Sequence, residues 1–420
     1  MISLEDWNAR IDAFLTDENM HVGEEIPVYR IYCQDDTDRS GGGIYNETVT
    51  ADTIGRYARA LGDSNPLYSD SRYAAAGIYG EIIAPPLMEC CICSTFIGGK
   101  VPRLRGVSVY DAGTRWERFR EIRPGDSFKA VTTFLGTEEI TKQERNDRTL
   151  LRKHAVRLEN QKGETVSLLT ARSIIKCKLP VSDEGENGKG KTLFSNVSGT
   201  GNEKAVFSKT SAAEYEKEKF CRPAYTQEQL ERVYRNLDAQ LAGEFRSGAK
   251  IRYWEDVEIG EKLQEEIIGP YDESDGMSLM AAIGVSNAFA TKWGTIRSRR
   301  GKGILDPETG AMRHPIDRHN SDAAARAQGL PRAIVSGIHS QAILAKSVSD
   351  WMGDAGFLRI LDCRCRRPLY YGDLSIQKGT VTDKYRENGR GFVVLQMKAV
   401  RQDEVTHTEA EAIVELPCRS

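Results

Sequence analysis

The sequence predicts an α+β fold built twice on one plan, and three observations carry that prediction. A short helical pattern ending in glycine at Thr50–Gly62 returns at Asp272–Gly284, and the turn after it returns in looser form. In each half, short helices and one longer apolar helix precede a run of strand-like segments. Between the halves, residues 181–225 are rich in Gly, Ser, Lys and Glu and poor in apolar side chains, the composition of an exposed linker. Ordered similarities at slowly drifting offsets are what a duplicated domain leaves behind.

The offset is 222 residues at the helix (50 to 272) and 251 at the turn, where Tyr68 pairs with His319 and Pro85-Pro86 with Ser336-Gly337. The second half therefore carries an insertion of about 29 residues (251 − 222), roughly between Val285 and Arg313. Arg120–Asp126 matches Arg367–Asp373 at an offset of 247. Both short helices place a capping-type residue ahead of an apolar stripe and stop at glycine. Longer apolar helices are expected at about Pro86–Ile97 and Gly337–Trp351, with Gly98-Gly99 and Gly353 as stops.

Strand composition follows at Gly106–Trp116, Ser127–Phe134, Leu150–Glu159 and Thr165–Cys177. In the second half it follows at Phe357–Arg366, Leu374–Asp383, Gly391–Gln402 and His407–Leu416. Pro-Gly-Asp, Gln-Lys-Gly and Glu-Asn-Gly separate several of these segments. Consecutive strands of this kind suggest an antiparallel sheet wrapped around one helix. Thr226-Gln-Glu-Gln229 reads as a capping box opening a helix that ends at Gly243, and Tyr253-Trp254 begins the second domain. The expected division is 1–177, a linker with one helix at 178–249, and 250–420.

Composition narrows the function. With 58 Lys and Arg against 61 Asp and Glu the net charge is −3, so no global basic excess points to nucleic acid or an anionic membrane surface. No apolar run approaches a membrane span, mean hydropathy is −0.48, and the acidic N-terminus lacks a signal-peptide core. Nine cysteines, several only one to three residues apart, do not form a disulfide framework. A reduced cytoplasmic protein is expected.

Gly62-Asp63-Ser64-Asn65-Pro66-Leu67, the following Tyr73-Ala74, the stretch Tyr79–Pro86 and the Pro-Gly-Asp strand entry resemble the MaoC-like hydratase/dehydratase family. The similarity covers about 20–177 and 250–417. It implies a double hotdog, two antiparallel sheets each wrapped around a central helix as a pseudo-dimer, and Tyr68 resembles the dehydratase-like N-terminal domain of fused members. The resemblance further implies an Asp and a His five residues apart that hold and deprotonate water, and a backbone N–H at the central helix start that polarises a thioester carbonyl. Carried across position by position, the first half offers Asp63 but has Tyr68 where the histidine belongs. The second half has His319, with His314 rather than Asp five residues before it.

Adding water to a 2-enoyl thioester needs a base, a proton for the α-carbon and donors for the enolate-like oxygen. Histidine suits the first role. The candidate site is therefore His319, the Ser336-Gly337 helix start, His314, and Asp317 as an orienting carboxylate, with Asp322 and Asp306 as alternatives. Taken alone, His319 also reads as a loop histidine beside Asn320, and His339 as a core histidine. Asp63, Asn65 and Tyr68 form a possible independent site, or a structural turn in a scaffold or substrate-tunnel domain. Arg297, Arg299, Arg300 and Lys302 read as a solvated loop or as contacts for coenzyme A phosphates.

Histidine spacings of 5 and 20 match no familiar zinc arrangement, so no metal and no cofactor is expected beyond coenzyme A as part of the substrate. Cys90, Cys91 and Cys93 read as core packing. The expected function is reversible hydration of a 2-enoyl-CoA or dehydration of a 3-hydroxyacyl-CoA, on a coenzyme A or acyl-carrier thioester. The alternatives are a thioesterase using Glu89, or a non-catalytic acyl-thioester-binding or partner subunit. Exposed sheet edges leave room for a homo-oligomer.

Overall fold

The computed structural model describes residues 3–27, 44–93, 107–141, 147–179, 221–284, 304–305, 310, 312–313 and 315–419. Alternation of buried and solvent-facing side chains builds the long strands; in Thr165–Lys178 nearly every second residue is buried. The first half contributes β1 (Glu25–Pro27), β2 (Val107–Arg118), β3 (Phe128–Glu139), β4 (Asp147–Asn160) and β5 (Thr165–Lys178). The second contributes β6 (Glu266–Ile268), the two-residue pair β7 (Ile304–Leu305) and β8 (Met312–Arg313), then β9 (Phe357–Cys365), β10 (Ser375–Glu387), β11 (Arg390–Val400) and β12 (Thr406–Leu416).

Ten of these strands form one antiparallel sheet in the order β1-β3-β4-β5-β2-β9-β12-β11-β10-β6. Read inward from either edge, each half orders its five strands first-third-fourth-fifth-second, so the duplication seen in the sequence is a duplication of topology. The halves meet where β2 pairs with β9, through Arg115 opposite Asp362, Trp116 opposite Leu361 and Glu117 opposite Ile360. The two sheets expected from the sequence are thus joined edge to edge. Asn388 and Gly389, both at positive φ, close a two-residue hairpin between β10 and β11.

The helix Gly337–Met352 runs through the core, and everything from His339 onward is buried. It packs on β9, β11 and β12 of its own half and on β2 of the other. The first half has no helix of matching length among the described residues. Of the apolar run expected to be helical over Pro86–Ile97, the described residues form the helix Glu89–Ile92, which stops where Cys93 turns extended and bridges to Ile44, while Leu87 takes φ 65°. Residues 94–97 and the stop Gly98-Gly99 lie outside the described residues.

The short helices Ala51–Ala60 and Glu273–Ile283 carry the expected caps at Thr50 and Asp272, and they pack on each other across the two halves. Thr226 and Gln229 form the expected capping box of the helix Gln227–Leu241. The helix Leu4–Asn19, not anticipated from sequence, buries Trp7 and Ile11 against Leu150, Ile175 and Cys177. Most of the expected linker, residues 180–220, lies outside the described residues. The eight described cysteines are free thiols. No described helix is long and apolar enough to cross a membrane.

Candidate active site

A five-residue 3₁₀ turn, Pro315–His319, ends in His319 and lays it against the segment that leads into the central helix. The backbone N–H of Ile334 donates to the Arg318 carbonyl at 3.0 Å, and His319 Nδ1 lies 2.9 Å from the Ile334 carbonyl oxygen. A carbonyl can only accept, so Nδ1 carries the proton and Nε2 is left as the basic nitrogen. Burial, with the Arg318 charge beside it, lowers the imidazole to about 4, so it is neutral across the physiological range. That is a weaker base than an unperturbed histidine.

Three residues after Ile334 the chain enters the helix. Ser336 caps it, its hydroxyl accepting from the His339 N–H. The N–H groups of Gly337 and Ile338, first in the helix, have no intrahelical acceptor and form the positive end of the helix dipole. Ser336, Gly337, Ile338 and His319 all keep partial solvent exposure.

The opposite wall comes from the first half. Asp111 on β2 lies so close to the helix start that a Cβ on Gly337 would sit 2.9 Å from the Asp111 Cγ. Its Oδ1 accepts from the Gly113 N–H at 2.7 Å and its Oδ2 from Gln341 Nε2 at 3.1 Å. Burial raises this carboxyl to about 6, against the opposing pull of the Gly113 N–H, Arg172 and Gln341. Arg318 ties the histidine turn to the same strand: its Nη2 donates to the Val109 carbonyl at 2.8 Å and its guanidinium lies 5.1 Å from the Tyr110 ring centre. Asp111 was missed in the sequence. The available signal was a charged residue two positions before a glycine inside an otherwise alternating strand, the mark of a bulge.

The carboxylates expected to orient His319 do other work. Asp317 is buried and lies 3.4 Å from Arg313, and Asp322 accepts from the Ala333 N–H at 2.7 Å. The Ile334 carbonyl fills the role proposed for Asp317, because the 3₁₀ turn lays His319 alongside that backbone. His314, Asp306, Arg297, Arg299, Arg300 and Lys302 lie outside the described residues. His339 is buried, meets Tyr271 edge to face at 5.3 Å between centroids, and finds no hydrogen-bond partner for its Nδ1 among the described residues. Burial lowers it to about 4.

Asp63, Asn65 and Tyr68 occupy the equivalent turn of the first half, and all three are buried. Asp63 Oδ1 accepts from the Asn65 N–H at 2.9 Å, Asn65 binds Asp354 and Arg246, and Tyr68 Oη lies 2.8 Å from Ser349 Oγ. This turn is packed against the far end of the other half's central helix instead of opening to solvent. Glu89 is fully buried and ion-paired with Arg118 at 3.0 Å, with Ser167 donating to the same oxygen at 2.7 Å. That tie leaves it poorly placed to attack a carbonyl. Among the described residues no group of three or more His, Cys, Asp or Glu could hold a metal ion.

Residues 41–169 match the family described as FAS1-like, dehydratase domain region, which spans the Asp63 turn and β2 with Asp111. No curated protein sequence matches the chain. Among solved structures the chain is similar to a MaoC-like dehydratase, with TM-score 0.53 and 15% identity over 95% of this chain and 99% of that one. It is similar also to a putative MaoC domain protein dehydratase from Chloroflexus aurantiacus J-10-fl, with TM-score 0.53 and 14% identity over 97% and 98% of the two chains. At such identities these structures speak to fold, and the fold they share with this chain covers at least 95% of it. The chain thus has the double-hotdog fold of these MaoC-like structures, and its residues 41–169 match the FAS1-like dehydratase region.

Proposed function

We propose that the chain reversibly hydrates a 2-enoyl thioester, or dehydrates the corresponding 3-hydroxyacyl thioester, at the start of the helix Gly337–Met352. One observation carries this reading: a neutral imidazole, its tautomer set by the Ile334 carbonyl, is tied to the chain two residues before the cap of a half-open helix N-terminus. In the forward direction the Gly337 and Ile338 N–H groups receive the thioester oxygen, which gains negative charge as the double bond polarises. His319 Nε2 takes a proton from the water whose oxygen bonds to the β-carbon. The dehydratase family match and the shared fold support the reaction class. The basic run at 297–302 is proposed to meet the phosphates of a coenzyme A carrier.

A second reading, an acyl-thioester-binding subunit without turnover, is favoured by the low basicity of His319 and the absent dyad aspartate. Incubating the purified protein with short, long, branched and aromatic 2-enoyl-CoA esters, alongside His319→Ala, decides between them. Loss of the conjugated-enoyl absorbance that vanishes in the variant supports the hydratase. Binding of the esters with no turnover on any of them supports the second reading.

A further inference from the structure

We propose that Asp111 is the carboxylate of this site, acting with His319 as an acid–base pair divided between the two halves of the chain. The inference rests on the hydratase reading above and supplies what the sequence around His319 lacks.

The placement of Asp111 is built, not incidental. The β2–β5 register slips between Asp111 and Gly113, and this bulge turns the Asp111 side chain toward the central helix. Gly113 sits at φ 101°, and a Cβ there would overlap the Cys363 carbonyl of β9, so the bulge lies where the halves are joined. Gln341 is held one way round. Its Oε1 accepts from the Thr114 N–H at 3.1 Å and from Trp116 Nε1 at 3.0 Å, both obligate donors, so its amide NH₂ must face Asp111. Among the described residues Asp111 has no ion-pair partner. Arg172 on β5 pairs instead with Asp362 on β9. The other groups facing it are the thiols of Cys363 and Cys365 on β9, raised by burial and so neutral. Arg318 stands on the His319 turn and stacks over Tyr110.

A thioester oxygen at the Gly337 N–H brings the α-carbon to the same residue that the Asp111 carboxylate touches. In hydration His319 Nε2 takes one proton from water, and the water oxygen bonds to the β-carbon. The π pair moves toward the carbonyl oxygen, forming an enolate. Protonated Asp111 gives its proton to the α-carbon as the enolate pair returns to form the C–H bond. Imidazolium then returns its proton to the Asp111 carboxylate through solvent. One water is added and nothing else is consumed. Burial leaves both forms of Asp111 populated near neutrality, which this cycle requires.

The test compares Asp111→Asn, Gln341→Glu and His319→Ala on an ester that the unaltered protein hydrates, from pH 5 to 9. Asp111→Asn is expected to lower kcat about 10²- to 10⁴-fold with little change in KM, and to abolish the pH limb near 6. Gln341→Glu keeps acceptors for Thr114 and Trp116 but sets a second carboxylate beside Asp111. It should move that limb to higher pH, a shift that a purely structural Asp111 would not produce. The inference is overturned if folded Asp111→Asn keeps kcat within about threefold and the same profile while His319→Ala is inactive; the hydratase reading then stands alone. Should Asp111→Asn fail to fold, an unmoved limb in Gln341→Glu overturns it instead. Absence of hydration in the unaltered protein removes the hydratase reading, and this inference with it.

Discussion

The Tyr68 hydroxyl lies 2.8 Å from Ser349 Oγ, one residue on the turn of the first half and the other near the end of the second half's central helix. Tyr68 holds the place in the repeat that His319 holds in the second copy. One copy of the turn ties an imidazole to the segment leading into a half-open helix start, and the other closes on its neighbour with a hydrogen bond. Burial pushes the Tyr68 phenol well above its ordinary range, so it stays protonated and serves as a strut.

Tyr68→Phe is accordingly expected to cost about 1 kcal/mol of stability, the net worth of one buried hydrogen bond, and to leave hydration kinetics unchanged. Denaturant unfolding and steady-state assays read the two effects separately. A large fall in turnover from a stably folded variant would move the chemistry to the first half.

Gly337→Ala is expected to destabilise by about 1–3 kcal/mol, because the new methyl meets the Asp111 carboxylate in a packed site. The same change made in an Asp111→Ala background should cost less, since the obstructing group is gone. A double-mutant cycle by denaturant unfolding measures the difference. Strict additivity would mean that the two residues do not touch in solution.

Much of this fold was legible because strands and caps are local. The long strands fall within a few residues of their sequence-based bounds, since alternating burial is written directly in the residue order; β3, which runs on past Phe134 to Glu139, departs most. Thr50, Asp272 and Thr226 cap their helices as the side-chain chemistry dictates. The run after Pro86 misled because apolar composition is the same in a buried helix and a buried coil. That helix ends at Ile92, where Cys93 turns extended and bridges to Ile44. At the candidate site, the repeat singled out His319 and the Ser336-Gly337 start. The carboxylate proposed for it was not legible, because Asp111 is more than 200 residues away and arrives only when β2 pairs with β9. The orienting acceptor for His319 is a main-chain carbonyl, which no side-chain pattern encodes.

Stability should depend on pH through two opposing sets of buried groups. His319 and His339 are lowered to about 4, and His407 to about 3, chiefly by burial. Unfolded they would bind protons near 6.5, so their contribution is present above that pH and is lost as pH falls from about 6.5 toward 4. Asp63 is raised to about 7 by burial and by the Asp350 charge. Its contribution runs the other way, fully present below about 3.9 and lost as pH rises through 7. Asp63→Asn, which keeps an oxygen to accept from the Asn65 N–H, should therefore stabilise at pH 8 by on the order of 2 kcal/mol and change little at pH 4. Equal effects at both pH values would show that Asp63 is not held protonated.

Lys346 gives the strictest test of how the halves are held. It is buried in the central helix, ion-paired with Glu266 and, at 2.9 Å, with Asp350, while Ser347 donates to Glu266. Asp63 adds a third carboxylate to its surroundings from the other half. Burial alone would lower the lysine, yet the carboxylates hold it well above its ordinary range, so it remains charged. Lys346→Met removes the cation paired with Glu266 and Asp350 and leaves those buried carboxylates poorly compensated, an expected loss of about 3–5 kcal/mol at pH 8. Those groups can escape by taking up protons, so the loss should shrink as pH falls toward 5, opposite to the histidine-driven trend of the unaltered protein. Denaturant midpoints at the two pH values measure it. A deficit that stays the same at pH 5 would mean that the lysine matters for the shape of its stem and not for its charge.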